Sequence, residues 1–240
     1  ALRIFNEKSN TTDIKRTDAF DLKFLDQSKS EEIQYIGKLS VNNSCFYREY
    51  VLGNDTPEMR ATALVIGQAL QQPFFTEMRT NQQLGYIVWS YTRSRDETYY
   101  LSFVIQSGAF TADDVNQRPD DFIASTPELL TAMDDETFQQ LKESAIEKLE
   151  KKPMSISERA NKLQTFIFEH DADFQRDQKT IAALETLQQS STVELLSKTL
   201  GTDTRRMVNF LMFAEQHENT TGAKGTFNKL KTWKASRSYK

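Results

Sequence analysis

The side chains best suited to act on a polar substrate are the guanidinium of Arg79 and the phenol of Tyr86. Both lie within Phe74 to Ser107, where a short helical segment gives way to two alternating apolar stretches. A guanidinium carries a planar fork of N–H donors and a phenol can donate or accept. The pair therefore suits holding a carbonyl oxygen, not breaking a bond unaided. By residue type alone, an Arg at a helix end and a Tyr in a strand are most often a surface charge and a half-buried ring.

No other grouping nominates chemistry. Cys45 is the single cysteine, so the chain forms no internal disulfide and no multi-cysteine metal site. Its place before Phe46 in a strand predicts a buried, inert thiol. His170 and His217 stand far apart, and His170, within Glu169-His170-Asp171, is expected near a helix C-terminus, where a positive imidazole favours the helix dipole. Gly67 inside a helix reads as close packing and Gly108 after a strand as a turn, and no phosphate-cradling loop is present. The pairs Asp113-Asp114, Asp120-Asp121 and Asp134-Asp135 read as helix-start caps. Ser/His/Asp and Cys/His sites assemble in three dimensions, and spacing nominates none here.

Periodicity supplies the elements that must carry Arg79 and Tyr86. A strand is predicted at Gln34 to Val41 and a clearer one at Cys45 to Gly53, where Phe46, Arg48, Tyr50 and Leu52 alternate with Cys45, Tyr47, Glu49 and Val51. Asn54-Asp55-Thr56-Pro57 starts a helix to about Gln71, with Met59, Ala63, Ile66, Ala69 and Leu70 at helical spacing and Pro73 ending or kinking it. A second short helix, Phe74 to Thr80, then delivers Arg79. Leu84 to Thr92 and Thr98 to Ser107 pair across the charged segment Arg93 to Glu97, and in such a strand Tyr86 shares a face with Leu84 and Val88, which favours burial.

From Thr111 to Leu200 the chain reads helical. Phe138, Leu141, Ala145 and Leu149 share one face. Ser155-x-x-Glu158 reads as a capping box for a helix with Leu163, Phe166 and Ile167 inward, and Ser191-x-x-Glu194 as another, for a helix ending at Gly201. Arg206 to Ala214, apolar on both faces, reads as a central strand. Strands, then helices, then a closing strand predict an α+β domain: a mainly antiparallel sheet with helices packed on one face. Residues 1–33 read as a connector from an upstream domain, 34–214 as the domain, and 215–240 as a polar, basic tail.

The string Met78-Arg79-Thr80-x-x-Gln83-Leu84-Gly85-Tyr86-Ile87-Val88, with a second strand ending Ile105-Gln106-Ser107, resembles the fourth, C-terminal domain of the insulinase or pitrilysin family of inverted-zincin metallopeptidases. Weaker landmarks are Asn42-Asn43, Pro73, Phe174-x-Arg176-Asp177 and Asp203-x-Arg205-Arg206, so the likeness spans about Asn42 to Ala214. The resemblance implies an insulinase/processing-peptidase-like metallohydrolase domain, one of four related α+β domains that close around a chamber. It also implies zinc in the N-terminal half of the parent protein. Arg79 and Tyr86 would bind the substrate backbone, with no catalytic or metal-binding residue in this chain. The implied partners are the N-terminal half of the same polypeptide and peptide substrates, and no activity is expected of the chain alone. The other function such a fold serves is a non-catalytic peptide-binding or structural subunit, of processing-peptidase regulatory or respiratory-complex core type. The zinc motif His-x-x-Glu-His places two imidazoles and a glutamate on one helix face, and neither histidine here belongs to one.

Composition agrees with a folded domain. The 240 residues are 38% hydrophobic, enough for a sizeable core, and the net charge of -4 with interspersed signs gives no reason to expect nucleic acid as partner. The mildly basic stretch Lys224 to Lys240 reads as a solvated terminus. No run approaches the length needed to span a bilayer. The lack of a signal-peptide pattern says nothing about export in a piece cut from a longer protein, so the compartment is unknown, with a soluble protein of periplasm or cytoplasm as the expectation.

Overall fold

The computed structural model describes residues 31–227 and 230–238, so the expected connector lies outside the described residues apart from 31–33. Five strands make one sheet: β1 Glu31–Lys38, β2 Ser44–Asn54, β3 Ile87–Arg95, β4 Thr98–Ser107 and β5 Arg206–Phe213, in the order β1-β5-β2-β4-β3. Only the β1–β5 pair is parallel. β5 lies inside the sheet, as its two-sided apolar sequence requires. β1 begins at Glu31, ahead of the predicted Gln34, because its polar start pairs with β5 from Arg206 on and Glu32 forms an ion pair with Arg205.

β2 alternates between two environments. Phe46, Tyr50 and Leu52 enter a core under the helices, while Tyr47 and Glu49 point to the opposite face of the sheet. Helix α1, Pro57–Phe75, starts where Thr56 accepts the Met59 N–H at 3.1 Å with proline in the first turn. It is apolar on two sides: Ala63, Ile66 and Leu70 pack on the sheet, whereas Ala61 and Val65 join Phe138, Ala145 and Leu184 in a second core. Gly67 allows the close seat, since a Cβ there would lie 2.7 Å from Thr92 Oγ1 on β3. The outer layer over α1 is α5 (Asp135–Glu150) and α7 (Arg176–Thr186). Helices α2 (Ala112–Gln117), α3 (Asp120–Ala124), α4 (Thr126–Thr131), α6 (Ile156–Glu169) and α8 (Gln189–Leu200) complete the α+β domain, whose sheet is mostly antiparallel. Short helix α9, Leu230–Ala235, belongs to a separate compact unit.

Several local expectations are corrected. Pro73 neither ends α1 nor separates a second helix at Phe74 to Thr80. The helix continues to Phe75 and joins a π-helical turn, Thr76–Asn81, since Phe74 and Met78 are fully buried and tie the segment to the core. The strand predicted from Leu84 starts at Ile87, and the hairpin turn is only Asp96-Glu97, both with positive φ of the kind that matches strand twist. Arg93 and Arg95 belong to β3 itself. α8 starts at Gln189 without a side-chain cap, so Ser191 is inside the helix. On α6 only Phe166 is buried, and Leu163 and Ile167 are exposed, because nothing in the described residues covers that side of the helix. Ser155 does cap α6, but Glu158 bonds Met154 N–H instead of closing the box.

Of the paired acids, Asp114 and Asp134 cap helices, while Asp113 accepts from Thr221 and Asp120 binds the buried Arg48. The segment after β5 is held on the edge of β1, where Thr226 N–H donates to Gln34 O at 2.7 Å and Gln34 N–H to Thr226 Oγ1 at 2.8 Å.

The start of α1 is fastened to α7 by a buried ion cluster. Asp55 accepts from Arg60 at 2.7 Å and from Arg176 at 2.5 Å, and Arg60 Nε donates to Thr180 at 2.7 Å. The carboxylate and Arg60 are each 8% exposed, so removing Asp55 strands two guanidinium charges. Asp55→Ala is expected to lower unfolding free energy by about 3 kcal/mol in urea melts, whereas Asp173→Ala, at the exposed pair with Lys179 and the Gln175 N–H, should leave the urea midpoint close to wild type.

Candidate substrate-positioning site

Arg79 and Tyr86 meet where α1 runs out. In the π-turn the Gln82 N–H reaches back to Glu77 O at 3.0 Å and the Leu84 N–H to Met78 O at 2.9 Å. Such wide turns are rare and recur at functional positions. The Glu77 carboxylate accepts from Gln82 at 2.9 Å and Asn81 at 2.7 Å, and these bonds hold it below the usual carboxylate range. Gln83 then takes a left-handed φ of 53° and reverses the chain.

Gly85 lies flat against β4. A Cβ at this position would sit 1.9 Å from Gln106 O, so only glycine fits. With Leu84 and Val88 fully buried on either side, Tyr86 is the residue left outside, 80% exposed. The expectation that it shares their buried face fails because Gln82 to Gly85 is not strand, so the two-residue alternation does not reach Tyr86.

Arg79 is held in the gap. Its Nη1 donates to the Tyr86 carbonyl, and its guanidinium stacks 4.6 Å from the Tyr86 ring centroid and 5.2 Å from that of Phe75. One donor is spent on the backbone, while the others, and the Tyr86 hydroxyl, make no hydrogen bond among the described residues. Two aromatic rings and a backbone bond thus fix a half-buried cation that keeps donors unspent among the described residues. Phe75 had no sequence signal as a site residue beyond its position four before Arg79, one helical turn away. An open cleft of about 800 Å³ on the other flank of the π-turn, between Glu77 and Arg118, is not lined by Arg79 or Tyr86.

The remaining candidates stay apart. Cys45 is half-buried, and burial raises its thiol pKa, which suits an inert group. His170 caps the end of α6, but burial and the nearby Arg176 push its pKa down. It therefore favours the neutral imidazole, not the cation expected for the helix dipole. His217 Nδ1 lies 2.9 Å from the buried Ser44 hydroxyl, which also accepts from Ala214 N–H at 3.0 Å; the tautomer of the ring sets which of the two groups donates. Among the described residues no group of three or more His, Cys, Asp or Glu could hold a metal ion. No described helix is long and apolar enough to cross a membrane.

One polar cluster that sequence did not single out lies on the sheet face away from the helices. Glu49 accepts from Arg93 at 2.6 Å, Arg95 at 3.0 Å and Ser102 at 3.3 Å, and also from the Tyr47 hydroxyl. Burial alone would raise the Glu49 pKa. The Tyr47 and Arg93 hydrogen bonds and the charges of Arg95 and Arg93 outweigh it and hold the carboxyl below its usual range, while burial and Glu49 push the Tyr47 pKa up.

Residues 65–164 match the family model described as PQQ synthase PqqF-like, C-terminal lobe domain 4. Protease 3 of Salmonella typhi is 27% identical over 136 residues, covering 57% of this chain and 14% of that protein. Human insulin-degrading enzyme is 30% identical over 140 residues, covering 58% of this chain and 14% of its own length. The crystal structure of pitrilysin superposes with a TM-score of 0.75 at 18% identity, covering 91% of this chain and 24% of that one. The class is thereby set: an α+β domain of the kind that builds large metallopeptidases. Within it, the chain is similar to the C-terminal domains of the insulinase/pitrilysin family, and it spans a small fraction of the length of the relatives it matches.

Two measurements check this geometry. Gly85→Ala should cost about 2 kcal/mol in chemical denaturation, because backbone must move to admit the Cβ. The lowered Glu49 pKa adds stability that is fully present above the unfolded carboxyl value, about 4.3, and is lost as pH falls through the lower folded value. Urea midpoints recorded from pH 7 down to about 3 should therefore fall less steeply in Glu49→Gln than in wild type below about pH 4.3.

Proposed function

We propose that this chain is the non-zinc fourth domain of a zinc metalloendopeptidase, forming part of the wall of its peptide-binding chamber, with Arg79 and Tyr86 positioning the substrate backbone. The observation that carries the proposal is the preorganised pair: a stacked guanidinium with donors to spare beside an 80% exposed phenol, at a junction pinned by Gly85. Donors fixed before the substrate arrives cost no reorganisation, so they orient a peptide carbonyl and stabilise negative charge that develops on its oxygen. In this reading zinc, which would supply an activated water, is held by the N-terminal half of a longer parent protein. In this proposal residues 34–214 are the domain, 1–33 its connector and 215–240 a tail, and the N-terminal half of the same polypeptide supplies the other side of the chamber.

The test is peptide cleavage by the full-length parent protein. Arg79→Ala and Tyr86→Phe are expected to lower kcat/KM by about a hundredfold, on the order of 3 kcal/mol for one lost donor, with zinc content and melting temperature unchanged. Undiminished turnover in both variants would overturn the positioning role. Failure of the wild-type parent to cleave any peptide would favour a non-catalytic peptide-binding subunit.

A further inference from the structure

The sheet face turned away from the helices carries a line of large apolar side chains in register across all five strands. Trp89 on β3 pairs with Val104 on β4, Val104 with Tyr47 on β2, Tyr47 with Phe210 on β5, and Phe210 with Tyr35 on β1. Trp89 is 56% and Phe210 37% exposed. The Phe210 ring stands 5.8 Å from Tyr47 and 5.9 Å from Tyr35. Phe227 stacks on Tyr35 at the β1 end, so the accessible part runs from Trp89 to Phe210. The outward face of an antiparallel sheet is ordinarily polar, and an apolar line on it, exposed at Trp89 and Phe210 and half-buried at Val104 and Tyr47 between them, marks a binding surface.

We propose that this line is a subsite for an extended peptide with bulky apolar side chains and a nearby acidic one. The proposal rests on the peptide-positioning role of Arg79 and Tyr86, and three observations support that occupant. The line begins at Trp89, three residues after Tyr86 at the start of β3, so the two exposed rings leave the same end of this strand. Beside it, two guanidinium groups, Arg93 and Arg95, face the single carboxylate of Glu49, leaving one net positive charge. Their side chains are 39% and 47% exposed and complementary to an acidic residue. A broad protein partner would have to desolvate these charges, whereas a narrow peptide leaves them partly in water. The spacing also fits: three strand-to-strand steps separate Trp89 from Phe210, about 14 Å, the reach of about four residues of extended chain.

Binding is read on the intact chain, independently of cleavage, by fluorescence polarisation. The probe is a labelled synthetic peptide with two phenylalanines four residues apart and an aspartate between them. Saturable binding is expected, weakened about tenfold by Trp89→Ser and by Phe210→Ser, restored by Trp89→Phe, and unchanged by Ile156→Ser on the exposed side of α6. Weaker binding of the same peptide with alanine in place of aspartate is also expected. Absence of saturation would overturn the subsite. So would equal binding of a probe with serines in place of the phenylalanines, or an equal loss in Ile156→Ser. The Arg79→Ala result in the parent separates the two proposals, since loss of turnover there with no peptide binding here removes only the subsite.

Discussion

The candidate site hangs on a contact with no spare room. Gly85 meets the Gln106 carbonyl so closely that any side chain would collide, and this fixes the end of the π-turn against β4. Met78 and Leu84 are fully buried on either side of the turn, and Arg79, next to Met78, is left half-exposed at the rim. Once backbone and core are set there, Tyr86 has only the outside to occupy, and its ring and carbonyl become the two surfaces that hold the guanidinium. The pairing of cation and phenol is thus a consequence of packing one residue away, not of attraction between the two side chains alone.

That contact in turn needs a rigid support. Helix α1 is gripped on one side by the sheet and on the other by α5 and α7, and Asp55 with Arg60 and Arg176 anchors its first turn in a buried ion cluster. A helix so held cannot slide or rotate to relieve strain at its far end, so the wide turn and the left-handed Gln83 persist. The opposite face of the sheet is stabilised differently. There Glu49 gathers donors from β2, β3 and β4, and the aromatic line runs beside it.

Much of the scaffold was legible in the residues. The alternation in Cys45 to Gly53, the Thr56-Pro57 helix start and the two-sided apolar Arg206 to Ala214 each report a local rule that the fold obeys. So does the string from Arg79 to Tyr86, whose likeness to the insulinase family matches the comparisons. The misreadings share one cause. Pro73 was read as ending or kinking the helix, Leu163 and Ile167 as inward, and strand alternation placed Tyr86 on the buried face, all from rules about a single element, even as the resemblance made Tyr86 a substrate-binding residue. In each case the outcome depended on what lay against that element from elsewhere in the chain.

By itself, then, the sequence determined the class of fold and the order of its elements. Periodicity, caps and turn residues act over a few positions and are written locally. Only the tertiary structure decided that Tyr86 faces out, that Arg79 lies between two rings, that Glu49 is shared by three strands, and that Trp89 and Phe210 fall in one line. These depend on register and on close approach between segments distant in sequence, where a clash of under 2 Å at Gly85 outweighs any local preference.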